Sequence, residues 1–234
     1  MSRDLDWDGC MNARDLGGLP TADGETTALG AVVRADNARN LTHAGWQTAW
    51  DYGIRTVFDL RTAAESVADP PRHPDFAHAA LSLFEHFDED PVYRTDLIAR
   101  VGDRGVAEQY RTLYVEALQL DARRFAEALS VVANAEPGGV LIHCTAGKDR
   151  TGLLAALFLR LAGVPIDVVD ADYRRSAARL GRPDDAPRDV VDRVLATVEA
   201  EHGSTARYFL RGGASRADLD HARARLLGHQ RQIA

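Results

Sequence analysis

Residues 139–152, Gly-Val-Leu-Ile-His-Cys-Thr-Ala-Gly-Lys-Asp-Arg-Thr-Gly, constrain this chain more than any other stretch. The apolar run Val140, Leu141, Ile142 stops at His143 and Cys144. Arg150 follows six residues after the cysteine, then come Thr151, Gly152 and an apolar helical stretch from Leu153 to Leu161. This is the order of a strand, a tight loop and a helix start. Such a loop directs successive backbone N–H groups inward, and the helix dipole adds positive potential at the same place. An anion of the size of phosphate suits that cradle, formed here by Thr145, Ala146, Gly147, Lys148, Asp149 and Arg150. Cys144 at its edge feels the same potential, which favours the thiolate. Arg150 brings a planar fork for bidentate contact with two phosphoryl oxygens. The Thr151 hydroxyl is placed to donate to the cysteine sulfur.

Other loop chemistries fail on spacing. A Walker-type loop needs Gly at 142 and Ser or Thr at 149, where this chain has Ile142 and Asp149. A thioredoxin-type site needs a second cysteine at 147, which is Gly147. The pattern Cys-x5-Arg followed by Thr-Gly resembles the cysteine-dependent protein tyrosine phosphatase superfamily. The fuller string from His143 to Gly152 is similar to a bacterial subgroup that acts on phosphotyrosine and, in some members, on phosphoinositides. The segments Asn12-Ala-Arg14-Asp15-Leu-Gly17-Gly18 and Asp59-Leu-Arg61-x3-Glu65, and the later Asp170-Ala-Asp172-Tyr173-x2-Ser176, match that subgroup as well. The resemblance implies nucleophilic catalysis by Cys144, charge stabilisation by Arg150, and no metal or cofactor.

Expulsion of an alkoxide needs a proton donor near the leaving oxygen. The acidic stretch Glu85-His-Phe-Asp88-Glu-Asp90 supplies candidates, with Asp88 preferred over Asp90 and Glu85, and Asp149 inside the loop is a rival. His143, Asp59 and Arg61 are expected to support the loop, His143 by hydrogen bonding and Arg61 by pairing with Glu65 one helical turn away. Lys148 is an extra cation suited to multiply phosphorylated ligands, unless Asp149 neutralises it. Tyr110 and Tyr114 are expected in core or rim packing.

The net charge of −7 argues against a nucleic-acid partner. Substrates are expected among phosphorylated proteins, lipids or small molecules, and the oligomeric state stays open. No apolar run approaches the roughly 20 residues that span a bilayer. The N-terminus lacks a signal-peptide pattern, and Cys10 and Cys144 form no disulfide framework, so a cytoplasmic location is expected. Two rival functions exist: a phosphate-binding pseudophosphatase, which the joint presence of Cys144, Arg150 and Thr151 disfavours, and a thiol redox sensor with Cys10 as resolving partner.

Strand and helix patterns alternate. Strands are expected near Val32–Val33, over 54–60 and 77–84 and before Cys144. Helices are expected over 43–52 with Thr42 as N-cap, from Thr62 to the prolines at 70 and 71, over 106–135 with a break near Asp121, and over 152–162 and 164–180. Three more follow near 188–201, 204–210 and 215–227. This predicts an α/β fold with a mostly parallel central sheet flanked by helices and extra helices toward the C-terminus. It is expected as one domain over 1–234, with a catalytic core of about 12–180 and a helical extension of about 181–234. The loop then lies at the carboxyl end of a strand, where open α/β sheets bind ligands.

Overall fold

A run of apolar residues buried on both sides is what a central parallel strand requires, and Gly139–His143 is such a run, with every residue buried. In the structure, a computed structural model describing residues 3–68, 75–84, 91–182 and 186–229, this strand (β5) is the middle of a five-stranded sheet ordered β1-β2-β5-β3-β4. The others are β1 (Arg14–Asp15), β2 (Val32–Ala35), β3 (Ile54–Asp59) and β4 (Ala77–Ala80). Only β1 is antiparallel to its neighbour; β2, β3, β4 and β5 run parallel. The α/β architecture expected from the pattern is the one observed.

Successive strand residues point to opposite faces of the sheet, and the two faces bury different partners. Val140 and Ile142 join Val32, Phe58 and Leu60 in the larger core, which includes Leu153 to Leu159 and, from the C-terminal helices, Val191, Phe209 and Leu226. Leu141 turns the other way, toward Val33, Ala35, Ile54 and Val57, under Trp7, Trp46 and Ala49. The C-terminal helices therefore pack into the same core as the helix that follows Cys144.

In chain order the helices are α1 (His43–Asp51), α2 (Ala63–Ala68), α3 (Pro91–Val101), α4 (Val106–Leu120), α5 (Ala122–Asn134), α6 (Arg150–Leu161), α7 (Ile166–Arg179), α8 (Val191–His202), α9 (Thr205–Arg211) and α10 (Arg216–Leu227). Local chemistry sets several of their ends. The Thr42 hydroxyl accepts from the Gly45 amide at 3.2 Å, and Ser215 and Asp218 form a reciprocal capping box.

Two differences from the sequence expectation stand out. Strand β4 stops at Ala80 rather than near Phe84, because the chain turns inward there: Phe84 takes a φ of 66°. Its amide donates to Asp121 Oδ2 at 3.1 Å. Asp121 thus spends its carboxylate on that turn and makes no cap bond to α5. Helix α3 has no counterpart in the expected pattern. Among the described residues, no helix is long and apolar enough to cross a membrane.

Candidate active site

The parallel register brings the carboxyl ends of three strands into one row, pairing His143 with Ala35 on one side and Asp59 on the other. Residues 144–149 leave the end of β5 and run into the N-terminus of α6. Beneath this loop, three successive carbonyls are tied to the protein. The Thr145 carbonyl accepts from the Asn37 amide at 3.1 Å. The Ala146 carbonyl accepts from Asn12 Nδ2 at 3.0 Å, and the Gly147 carbonyl from Arg34 Nη2 at 2.6 Å. Across a trans peptide the next N–H points the opposite way, so tying the carbonyls down turns the amides of residues 146–148 up. One of them, the Gly147 amide, donates to Cys144 Sγ at 3.3 Å.

Gly147 is required for this shape. Its φ is +68°, and a Cβ would lie 2.3 Å from the Ala35 carbonyl oxygen, so the loop sits directly on the end of β2. Cys144 itself is buried at 2% exposure. Thr151 Oγ1 is buried without a hydrogen-bond partner, so the expected Thr151-to-sulfur bond is not made in this state.

The sequence pairs Arg61 with Glu65; the structure separates them. Arg61 turns back onto Asp59, with Nε at 3.0 Å and Nη2 at 2.8 Å from its carboxylate. Glu65 reaches across from α2 to the loop. Arg150 Nη1 and Nη2 donate to its two oxygens at 2.5 and 2.9 Å, and the Thr145 hydroxyl donates to it at 2.5 Å. Partial burial alone would raise the Glu65 pKa, but the bonds from Arg150, Thr145 and the Thr62 amide win and hold it at about 2. Glu65 is thus a residue of the site that sequence spacing assigned to the wrong arginine.

The other side of the loop is lined by tyrosines. Lys148, 4% exposed, donates from Nζ to the Tyr110 hydroxyl at 2.8 Å and lies 3.6 Å from Asp149 Oδ1. Tyr114 donates to Asp149 Oδ1 at 2.5 Å. Its oxygen lies 2.7 Å from the Tyr173 hydroxyl, which therefore acts as donor in that pair. Burial, reinforced by the Asp149 charge, pushes both tyrosine pKa values well above the ordinary value. Asp149 is the N-cap residue of α6 but makes no side-chain cap bond, leaving its carboxylate to Tyr114. Tyr110 and Tyr114 pack as expected, yet their hydroxyls hold two loop side chains, which apolar periodicity does not reveal.

His143 is fully buried. The Ala38 amide points at its Nδ1 at 3.4 Å, and its Nε2 lies 3.9 Å from Asp59 Oδ1, beyond hydrogen-bond reach. Burial lowers its pKa to about 4 despite the nearby Asp59 charge, so the ring is neutral and structural at ordinary pH. Asp88, Asp90 and Glu85 lie outside the described residues. Cys10 donates its thiol to Asp36 Oδ1 at 2.6 Å, and burial followed by that neighbouring charge pushes its pKa well up. A thiol so held is a poor resolving nucleophile.

A sequence model of the tyrosine phosphatase family matches residues 5–228. The chain belongs to that family. A tyrosine-protein phosphatase of Nostoc commune is 34% identical over 162 residues, covering 67% of this chain and 52% of its own length. A Cupriavidus necator relative is 31% identical over 182 residues (75% of this chain, 64% of its own). The triple specificity protein phosphatase of Mycobacterium tuberculosis is 32% identical over 193 residues, covering 72% and 67%. The chain therefore spans about half to two thirds of the length of these relatives.

Proposed function

We propose that this tyrosine-phosphatase-family chain is a phosphoric monoester hydrolase working through a phosphocysteine, as one catalytic unit that includes the C-terminal helices. The loop carries the reading: Cys144 Sγ accepts the Gly147 amide at 3.3 Å at the base of a helix N-terminus, with the Arg150 fork at the far end. In the first step the Cys144 thiolate attacks phosphorus opposite the leaving oxygen. The S–P bond forms as the P–O bond breaks, and a carboxylic acid protonates the departing alkoxide or phenolate. Arg150 and the upturned amides hold the three equatorial oxygens. Water then displaces the thiolate from phosphorus with the same carboxylate as base, releasing inorganic phosphate.

Asp149 and Asp88 are the two candidate acids. The Tyr114 bond fixes Asp149 beside the loop. Phosphotyrosine is the first substrate class, since two relatives carry tyrosine or triple specificity phosphatase names. Multiply phosphorylated ligands such as phosphoinositides form a second class only if Lys148, which lies 3.6 Å from Asp149, leaves that carboxylate to meet the ligand. An aryl phosphate assayed in chelator tests the chemistry: the parent turns over and Cys144→Ser does not. A Cys144→Ser protein with parental turnover ends the proposal. Asp149→Asn and Asp88→Asn compared by pH–rate profile assign the acid, because only the donor's loss removes the basic limb. A panel of phosphopeptides, phosphoinositides and sugar phosphates ranks the substrates.

A further inference from the structure

Beneath the loop lies a buried charge cluster that the chemistry above does not use. Asp172, on α7, receives three guanidinium groups. Arg14 approaches with Nε at 3.1 Å, Arg34 with Nη1 at 3.0 Å, and Arg3 with Nη2 at 2.6 Å. Arg14 and Arg34 are 0% and 1% exposed. Two further buried carboxylates lie near by without pairing directly to these guanidiniums: Asp15 accepts from the Gly17 and Gly30 amides and Tyr52. Asp36 accepts from Cys10 and the Met11 and Asn12 amides. In direct contact, one carboxylate thus serves three guanidiniums.

Arg34 is the member aimed at the loop. It alone in the cluster donates to a loop carbonyl, Gly147 O at 2.6 Å. The same nitrogen lies 3.1 Å from Ser176 Oγ, while Arg34 Nε is buried with no hydrogen-bond partner. Gly152, in the first turn of α6, lies against it as well: a Cβ there would meet Arg34 Nη2 at 3.0 Å. A charged donor is being held under this one peptide by α7 and the start of α6.

We infer that Arg34 is a positioning residue for the anion cradle: it holds the Gly147 carbonyl down, so that the Lys148 amide faces the bound phosphoryl group. The inference rests on the reading of residues 144–150 as the anion-binding catalytic loop. A carbonyl released from Arg34 could rotate into the cradle, where its oxygen would repel the phosphate it now helps to bind. Arg34 touches no substrate and acts through the loop.

The test uses the full chain and inorganic phosphate as probe, read as protection of Cys144 from iodoacetamide. In the parent, phosphate protects; absence of protection there would overturn the reading of the loop itself rather than the role of Arg34. Arg34→Gln loses roughly 10- to 100-fold in phosphate protection constant, as expected for a hydrogen bond from a charged donor, and kcat falls by a similar factor. Arg34→Lys keeps the charge but not the fork, so it folds with protection weakened several-fold. Arg3→Gln, which removes another guanidinium from Asp172 without touching the loop, loses stability but keeps protection within about twofold of the parent. Parental protection and kcat in a folded Arg34→Gln overturn the inference. If that variant does not fold, parental protection in Arg34→Lys does so instead.

Discussion

Arg34 and Arg150 both end on the loop of residues 144–150, yet they are held in opposite ways. Arg34 is sealed under the sheet end among Asp172, Ser176 and a backbone carbonyl. Arg150 stands at the mouth, 8% exposed, with a carboxylate from a short surface helix on its Nη1–Nη2 edge. The carboxylates differ accordingly. Burial would raise the Asp172 pKa, but three guanidiniums drive it far below the ordinary range; Glu65, a third exposed on its side chain, sits at about 2. One arginine is part of the fold and shapes the cradle; the other is a loaded fork whose counter-ion an incoming phosphate can challenge.

Exchanging each member for a close relative should therefore break different properties. Arg150→Lys is the largest expected loss of activity, about 10²- to 10³-fold in kcat/KM, since a point charge cannot grip two equatorial oxygens. Its urea midpoint should stay near the parent's, because a lysine can still meet Glu65. Activity within threefold of the parent would remove Arg150 from the chemistry. Asp172→Asn is the largest expected loss of stability, about 3–5 kcal/mol by urea unfolding, since it strands guanidiniums in the interior. A loss below about 1 kcal/mol, the range of exposed pairs, would show that the cluster is better solvated than its burial indicates.

Glu65 sharpens the contrast through pH. Its folded pKa of about 2 lies below the ordinary 4.5, so the native state binds its proton more weakly than the unfolded chain. The stability from this pair is therefore present above about pH 4.5 and is lost as pH falls toward 2. Glu65→Gln should flatten the fall in urea midpoint between pH 5 and about 3, modestly, because solvent screens a partly exposed pair. At neutral pH the same variant distinguishes two roles. If Glu65 orients Arg150, kcat drops about tenfold with KM little changed; a lower KM with kcat retained marks the carboxylate as a competitor of phosphate.

The same contrast explains what could be read from the sequence. Cys144, Gly147 and Arg150 are legible because loop chemistry is local: the spacing from strand to helix fixes their relation before any tertiary contact. The sheet is legible for the same reason, through the apolar runs at 54–59 and 139–143. Glu65 and Arg34 are not, because each is more than 80 residues from its loop partner. A partner one helical turn away, as Arg61 is to Glu65, offers a nearer answer that the fold then rejects. Asn12 lies in a segment that matches the subgroup, and only the packing of β1 beside β2 brings its amide to the Ala146 carbonyl. Helix α3 has no counterpart in the expected pattern, and β4 is the expected strand with an earlier end, set by the turn toward Phe84 instead of by periodicity.

The smallest predicted effect concerns the tyrosines that line the other side of the loop. Tyr114 donates to Asp149 and accepts from Tyr173, and its pKa is pushed far up by burial, then by the Asp149 charge, so it stays a donor at every working pH. Tyr114→Phe removes that donor while keeping the ring that packs on Tyr173. Stability should fall by about 1 kcal/mol, the usual net worth of a hydrogen bond. If Asp149 is the proton donor, kcat should fall several-fold, because its carboxylate loses the hydroxyl that holds it in place. A profile that keeps its basic limb in both Tyr114→Phe and Asp149→Asn assigns the acid to the segment containing Asp88 and leaves Tyr114 a packing residue.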